Sequence, residues 1–123
     1  MMLFDTRYFW AVFTEKDDDS LKELRIILRN AKRAFASSMS IYEVYKLTLA
    51  YEGRTVANLR ITVIKRDFTI VNVSPEIAEE GARISHRLKI PMADALIMAT
   101  AKQLHVPCVT DDPHFTEVKK VWV

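Results

Sequence analysis

The sequence predicts an α/β/α sandwich built on a mostly parallel sheet of about five strands. Three observations carry that expectation. Short apolar runs with strand character alternate with helical stretches of a dozen or more residues, long enough for crossovers between parallel strands. Only two glycines and four prolines punctuate the chain, so regular elements and short loops are expected. Half of the 123 residues are hydrophobic, and that length suits a single domain over residues 1–123. Such a domain buries about two-thirds of its unfolded surface and needs no staple.

Met1 to Phe4 is an apolar run suited to a buried first strand. Tyr8, Phe9, Trp10 and Phe13 favour a short aromatic helix behind it. Asp17, Asp18, Asp19 and Ser20 supply the N-terminus of the next helix, in which Leu21, Leu24, Ile27 and Leu28 recur at helical spacing. Ala34 to Ser37 is a weaker second strand. Ser40 opens a helix carrying Ile41, Val44, Tyr45, Thr48 and Leu49, which Gly53 stops. Arg54 to Lys65 forms a further helix, against the lower propensity of its β-branched residues. Phe68 to Val73 is the third strand. Pro75 starts a helix bearing Ile77, Ala78, Ala82, Ile84 and Leu88. Pro91 opens the helix in PMADALIMATAKQL. Val106 to Thr110 is the fourth strand, and Lys120 to Val123 an edge strand.

Composition narrows the function. Eighteen basic and sixteen acidic residues leave a formal charge of +2, too balanced for a general polyanion binder and too mixed for disorder. Cys108 is the one cysteine, which excludes an internal disulfide and argues against a thiolate zinc site. It reads as a small buried hydrophobe. Asp5 and Arg7 interrupt the apolar start, no signal-cleavage pattern follows, and no apolar run approaches the roughly 18 residues of a membrane span. A soluble, cytoplasmic protein is expected. Neither GxxxxGK[ST] nor GxGxxG occurs, so a phosphate loop is unsupported.

The acids are more informative. Ligands of an open parallel sheet bind outside the carboxyl ends of its strands. Asp5 follows the first strand, and Asp111 and Asp112 follow VPCVT. Asp94 lies in the first turn of the helix leading into VPCVT, and Glu43 near the start of the helix after the second strand. Four acids thus arrive at one rim, with no obligatory lysine or arginine beside them. Clustered like charges call for a compensating cation. Oxygen ligands with open positions suit Mg²⁺ or Mn²⁺ rather than zinc or copper. Carboxylate-held metals about 3.5–4 Å apart hydrolyse phosphodiesters.

Each acid has a simpler explanation. Ser40-x-x-Glu43 matches a helix capping box, Asp94 complements a helix dipole, and Asp111 and Asp112 suit a turn before Pro113. Asp94, however, lies in the apolar run Ala93 to Ala99, where a lone carboxylate is costly. Asp5 ends a buried strand, which has little use for an unpaired charge. Asp17 to Asp19 read as a solvated helix start. His86, His105 and His114 show no ligand spacing and are assigned to the surface. The aromatic stripes are assigned to core or interface.

The order FDT, SIYE, MADALIMATA, TDDPHF resembles the PIN domain, the nuclease domain of VapC-type toxins in toxin–antitoxin pairs. The resemblance runs from the first strand to the last, and ADALIMATA followed by TDDPHF is its specific part. It implies that Asp5, Glu43, Asp94 and Asp112 form the family's acidic quartet. Asp112 takes the fourth place because Phe115 then falls at the usual spacing, and Asp111 becomes a supporting neighbour. Thr6 and Thr110 match supporting hydroxyl positions. Arg7 departs from the family's smaller residue after the Asp-Thr pair.

The expected function is a Mg²⁺- or Mn²⁺-dependent endoribonuclease. Asp5, Asp94 and Asp112 would hold metal, and Glu43 would complete the site and orient or deprotonate the attacking water. Arg7, Arg29 and Arg54 are candidates for the RNA backbone. The resemblance further implies a homodimer and an antitoxin partner. A receiver domain would need an acceptor aspartate after FTIVNVS, and a haloacid-dehalogenase phosphatase would need Asp-x-Asp where Asp5-Thr6-Arg7 stands. The surviving alternative is a non-catalytic RNA- or protein-binding adaptor of the same fold.

Overall fold

The structure, a computed structural model, describes residues 1–122; Val123, the end of the expected edge strand, lies outside them. Its strands are β1 (Met2–Phe4), β2 (Ala34–Ser37), β3 (Thr69–Val71), β4 (Cys108–Val109) and β5 (Lys120–Val121). Its helices are α1 (Thr6–Thr14), α2 (Asp18–Asn30), α3 (Ser38–Asp67), α4 (Pro75–Leu88) and α5 (Met92–Leu104). The five strands lie in the order β3-β2-β1-β4-β5, and every pairing among the described residues is parallel. The expected mostly parallel sheet is therefore wholly parallel.

Side-chain alternation along each strand divides the core into two layers. Leu3, Phe35 and Cys108 pack with Ile77, Ile84, Ile97 and Met98 of α4 and α5. Phe4, Ala36 and Val109 face the other way, onto Tyr8, Phe9, Leu24, Val44, Ile61 and Ile64 of α1 to α3. Phe4 meets Tyr8 and Phe68 edge-on at ring separations of 4.7 and 5.2 Å. Cys108 is fully buried, and burial pushes its thiol well above the ordinary range, so it is the inert hydrophobe expected.

Four strands are shorter than the sequence suggests: β1 starts at Met2, β5 stops at Val121 ahead of Trp122, and β3 and β4 are trimmed as well. The Phe68 amide closes the last turn of α3 on Ile64, so Phe68 belongs to a helix end and not to β3. Pro107 has no N–H to donate, and β4 starts after it.

The caps explain the helix starts. Asp17 accepts from the Ser20 amide at 2.9 Å, and Ser74 from the Ile77 amide at 3.1 Å, with Pro75 directly inside α4. For α3 the cap is Ser37, whose hydroxyl accepts from Met39 N at 3.0 Å. That helix begins ahead of Ser40, and the Ser40–Glu43 capping box does not form.

Gly53 interrupts α3 at φ 85° and ψ 179°, a backbone region open essentially to glycine alone. The two helical stretches expected on either side of it are thus joined across a kink. Beyond the kink, burial of Ala57, Ile61 and Ile64 overrides the weak propensity of the β-branched residues. A Cβ at Gly53 would meet nothing within 4 Å. Gly53→Ala is therefore expected to lower stability by about 1–3 kcal/mol through backbone strain alone. Chemical denaturation checks this, and an unchanged midpoint would refute the strain.

The strand order also locates the site. From β1 the chain builds outward through β2 and β3, then crosses to the opposite side of β1 for β4 and β5. The carboxyl ends of β1 and β4 consequently flank a topological switch point, where a crevice opens.

Candidate functional site

A cleft of about 440 Å³ lies at that switch point, lined by Asp5, Thr6, Glu43, Asp94, Asp111 and Asp112 together with Arg7, Trp10, Ala11, Leu47 and Trp122. Asp5, Glu43, Asp94 and Asp112, distant in sequence, share this one wall-to-wall space.

Asp5 is 2 % exposed and fixed at both oxygens. Oδ1 accepts from the Thr6 amide at 2.7 Å, which caps α1, and Oδ2 accepts from the Thr110 hydroxyl at 2.8 Å. Its charge has no cationic contact, yet its hydrogen bonds are made. Burial pushes its pKa up to about 7 against those hydrogen bonds, with the charges of Asp94 and Glu43 adding to the rise.

Glu43 points from α3 toward α1. Its Oε1 accepts from the Thr6 hydroxyl at 2.6 Å, and Ser40 Oγ lies 3.1 Å from that same hydroxyl. The Ser40–Glu43 pair thus serves a contact between helices. Desolvation raises the Glu43 carboxyl above its usual range, opposed by Thr6 and reinforced by the charge of Asp94.

Asp94 enters from the first turn of α5, whose start at Pro91 has no side-chain cap. Its carboxyl is raised first by desolvation and also by Asp112. Asp112 is held in the turn after β4, where its amide donates to the Thr110 hydroxyl at 3.0 Å. The same hydroxyl therefore ties Asp5 to Asp112.

His114, assigned to the surface from sequence, is exposed but belongs to this constellation. Its Nδ1 lies 2.8 Å from Asp94 Oδ2 and 3.1 Å from Asp112 Oδ1. Its amide donates to Asp112 Oδ1 at 2.8 Å. One ligand atom from each of Asp94, Asp112 and His114 falls within a 4.8 Å group. The available signal was the Asp112-x-His114 spacing inside a turn, which has meaning only once α5 is placed against it. The fully buried Phe115 anchors that turn, and Glu117 bonds Arg87 and Lys102 just beyond it. Those two cations hold the Glu117 carboxyl down at about 2.

A cation does lie at the edge of the acids, beside Asp111. Arg7, from the first turn of α1, forms an ion pair with Asp111 at the cleft and holds that carboxyl below its usual range. Asp111 is thereby turned toward Arg7. Arg29 and Arg54 are exposed and do not line the cleft. His86 and His105 are exposed as expected, and Asp17 caps α2.

The donor set fits a hard divalent cation. Carboxylate oxygens predominate, three of the acids are disfavoured as anions by burial, and no lysine or arginine contacts Asp5, Glu43, Asp94 or Asp112 among the described residues. A cation bound there would supply the missing charge.

The PIN domain family model matches residues 2–121. No curated protein matches the sequence. Among solved structures, a toxin–antitoxin complex from Klebsiella pneumoniae superposes with TM-score 0.78 at 23% identity, covering 98% of this chain and 96% of that one. VapBC2 from Rickettsia felis, bound to a DNA fragment from its promoter, gives TM-score 0.80 at 14% identity over 99% and 98%. VapC20 of Mycobacterium tuberculosis, a sarcin–ricin loop cleaving toxin, gives 0.77 at 16% identity over 94% and 93%. At these identities the likeness establishes the fold. Among the described residues no helix is long and apolar enough to cross a membrane.

Proposed function

The chain belongs to the PIN domain family, and from that premise we propose that it is a metal-dependent endoribonuclease, the toxin of a toxin–antitoxin pair acting in the cytoplasm. The observation that carries this reading is the meeting of Asp5, Glu43, Asp94 and Asp112 in one cleft at the sheet's switch point.

In this reading Asp5, Asp94 and Asp112 hold Mg²⁺ or Mn²⁺, with Glu43 completing the set. The bound cation supplies charge neutralisation at the scissile phosphate and acidification of water. Glu43 has the properties of a general base: a raised pKa, a partly open position and a Thr6 hydroxyl fixing one oxygen. Thr110 fixes Asp5 relative to Asp112. His114 orients Asp94 and Asp112 by donating from Nδ1, the tautomer that two acceptor carboxylates require. Arg7, 55% exposed in its side chain, exchanges Asp111 for a substrate phosphate.

Partner binding has separate support. Solved structures of like fold include toxin–antitoxin complexes. The face of α3 beside the cleft exposes Tyr42 at 57% and Leu49 at 43%, apolar surface that a protein partner or a second copy would cover. An antitoxin seated there and a homodimer are the proposed assemblies.

The purified chain, free of any partner, is expected to cleave RNA in Mg²⁺ or Mn²⁺ and to stop in EDTA. Glu43→Gln keeps the size and a Thr6 acceptor but loses the base, so cleavage is expected to fall about a hundredfold or more at nearly unchanged melting temperature. Native rates in this variant would remove Glu43 from the chemistry. RNA binding by a native chain that never cleaves, with either metal, would favour the adaptor.

A further inference from the structure

Besides the acids, the cleft has an apolar lining that the chemistry above does not use. Trp10, Ala11, Leu47 and Trp122 form it, and they include both tryptophans of the chain. Neither indole belongs to the fully buried core. Each is nevertheless held by its neighbours. The Trp10 ring meets that of the exposed Tyr51, tilted, at 6.0 Å. The Arg60 guanidinium lies 5.7 Å from the Trp10 ring centroid and 5.3 Å from that of Phe13. Arg60 is itself only 9% exposed, and is tied to the Thr48 hydroxyl at 3.2 Å, the Phe13 carbonyl at 3.4 Å and the Glu52 carboxylate. Trp122 meets Tyr8 nearly perpendicular, at 6.3 Å, and the Tyr8 hydroxyl is locked on the Leu24 carbonyl at 2.9 Å.

A buried guanidinium is costly unless it is paired. Here it is paired three ways and placed against an indole that borders the cleft. Cation–π contact fixes the ring, so little ordering remains for a ligand to provide. A ligand matching the whole cleft carries an anionic group for the metal side and a flat apolar ring for the tryptophan side. A nucleotide has both.

We propose that Trp10, with Trp122, forms a stacking subsite for a nucleobase next to the scissile phosphate, and that it selects an unpaired nucleotide. This rests on the ribonuclease reading and specifies its substrate class. A base within a duplex has both faces covered by its neighbours, so only a single-stranded or looped base reaches an indole. Sequence tolerance follows too, because every base presents a π-face.

The test compares wild type, Trp10→Leu and Trp10→Phe on one RNA, single-stranded and annealed to its complement, in Mn²⁺. Trp10→Leu keeps apolar bulk without a ring and is expected to raise KM for the single strand about tenfold, with a smaller change in kcat. Trp10→Phe restores a ring and is expected to recover much of the loss. The duplex should be a poor substrate for all three. Indole fluorescence gives a readout independent of any variant: a 2′-O-methyl, cleavage-resistant strand should quench it, and the same strand carrying abasic sites should not. Cleavage with unchanged KM in Trp10→Leu, equal use of duplex and single strand, or equal quenching by the abasic strand overturns the subsite and leaves the nuclease standing. A wild type that neither cleaves nor binds RNA overturns both.

Discussion

Asp5→Asn is expected to abolish RNA cleavage while leaving the metal-free chain at least as stable as the native one near neutral pH. The two effects have different origins. Asparagine keeps the shape but offers a hard cation no anionic oxygen, and loss of a metal ligand removes several kcal/mol of charge stabilisation. That corresponds to a rate loss of about a thousandfold or more. For stability, the asparagine carbonyl can still accept from the Thr6 amide, while its NH₂ meets the Thr110 hydroxyl, which now must accept. Thr110 already accepts from the Asp112 amide, so its proton loses a partner at a cost of about 1 kcal/mol. Against this, a 2 %-exposed carboxylate no longer has to ionise beside two other acids. RNA binding should hold or improve, because a negative charge near the phosphates is gone. Identically prepared native and variant protein, assayed for cleavage, binding and melting, separate these outcomes. Equal cleavage by both would point to a contaminating nuclease and end Asp5's claim on the site.

The sheet was legible because its strands are buried on both faces and read as apolar runs between amphipathic helices. Asp5 stood out for the same reason: it ends such a run and is itself buried. The strand ends were less legible. Phe68 has strand-like chemistry, yet helix closure claims its amide. Ser40 and Glu43 show a deeper limit. Their spacing fits a capping box, but Ser37 takes the cap and leaves both side chains for Thr6 on another helix. Local pattern cannot decide between a cap and a tertiary contact when the same residues serve either.

The partners of His114, Arg7 and Trp10 were less legible for a related reason. Arg7 follows Asp5 by two residues and His114 follows Asp112 by two, but neither spacing names the group it meets until the chain folds. His114 becomes a partner of Asp94 only when the first turn of α5 meets the turn after β4. Arg7 becomes a neighbour of Asp111 only because β1 pairs with β4. Trp10 reads as core or interface in an aromatic stripe, and only the fold sets it against a buried Arg60 and at the cleft.

Metal-free protein is expected to lose stability as pH rises from about 4 to 8, and saturating Mg²⁺ or Mn²⁺ should restore it. Asp5 has a folded pKa raised from 3.8 to about 7, so between those values the folded chain binds more protons than the unfolded one. Its contribution is fully present below 3.8 and is lost as pH passes through about 7. Complete loss amounts to about 4 kcal/mol at most. Glu43 and Asp94 are raised by burial as well and act with the same sign. Glu117, held down at about 2 by Arg87 and Lys102, has the opposite sign, but its window lies below 4.5 and meets only the foot of this range. A divalent cation binds the ionised cluster, so its stabilisation grows with pH, reaching about 3 kcal/mol at a hundred times its Kd. Melting at pH 5 and pH 8, in EDTA and in Mg²⁺, reads all of this directly. The native chain should show a small metal shift at pH 5 and a large one at pH 8, and Asp94→Asn should reduce the latter. A metal-free stability that climbs across this range, or a metal shift that Asp94→Asn leaves intact, would mean that the crowded carboxylates are not what the cation relieves.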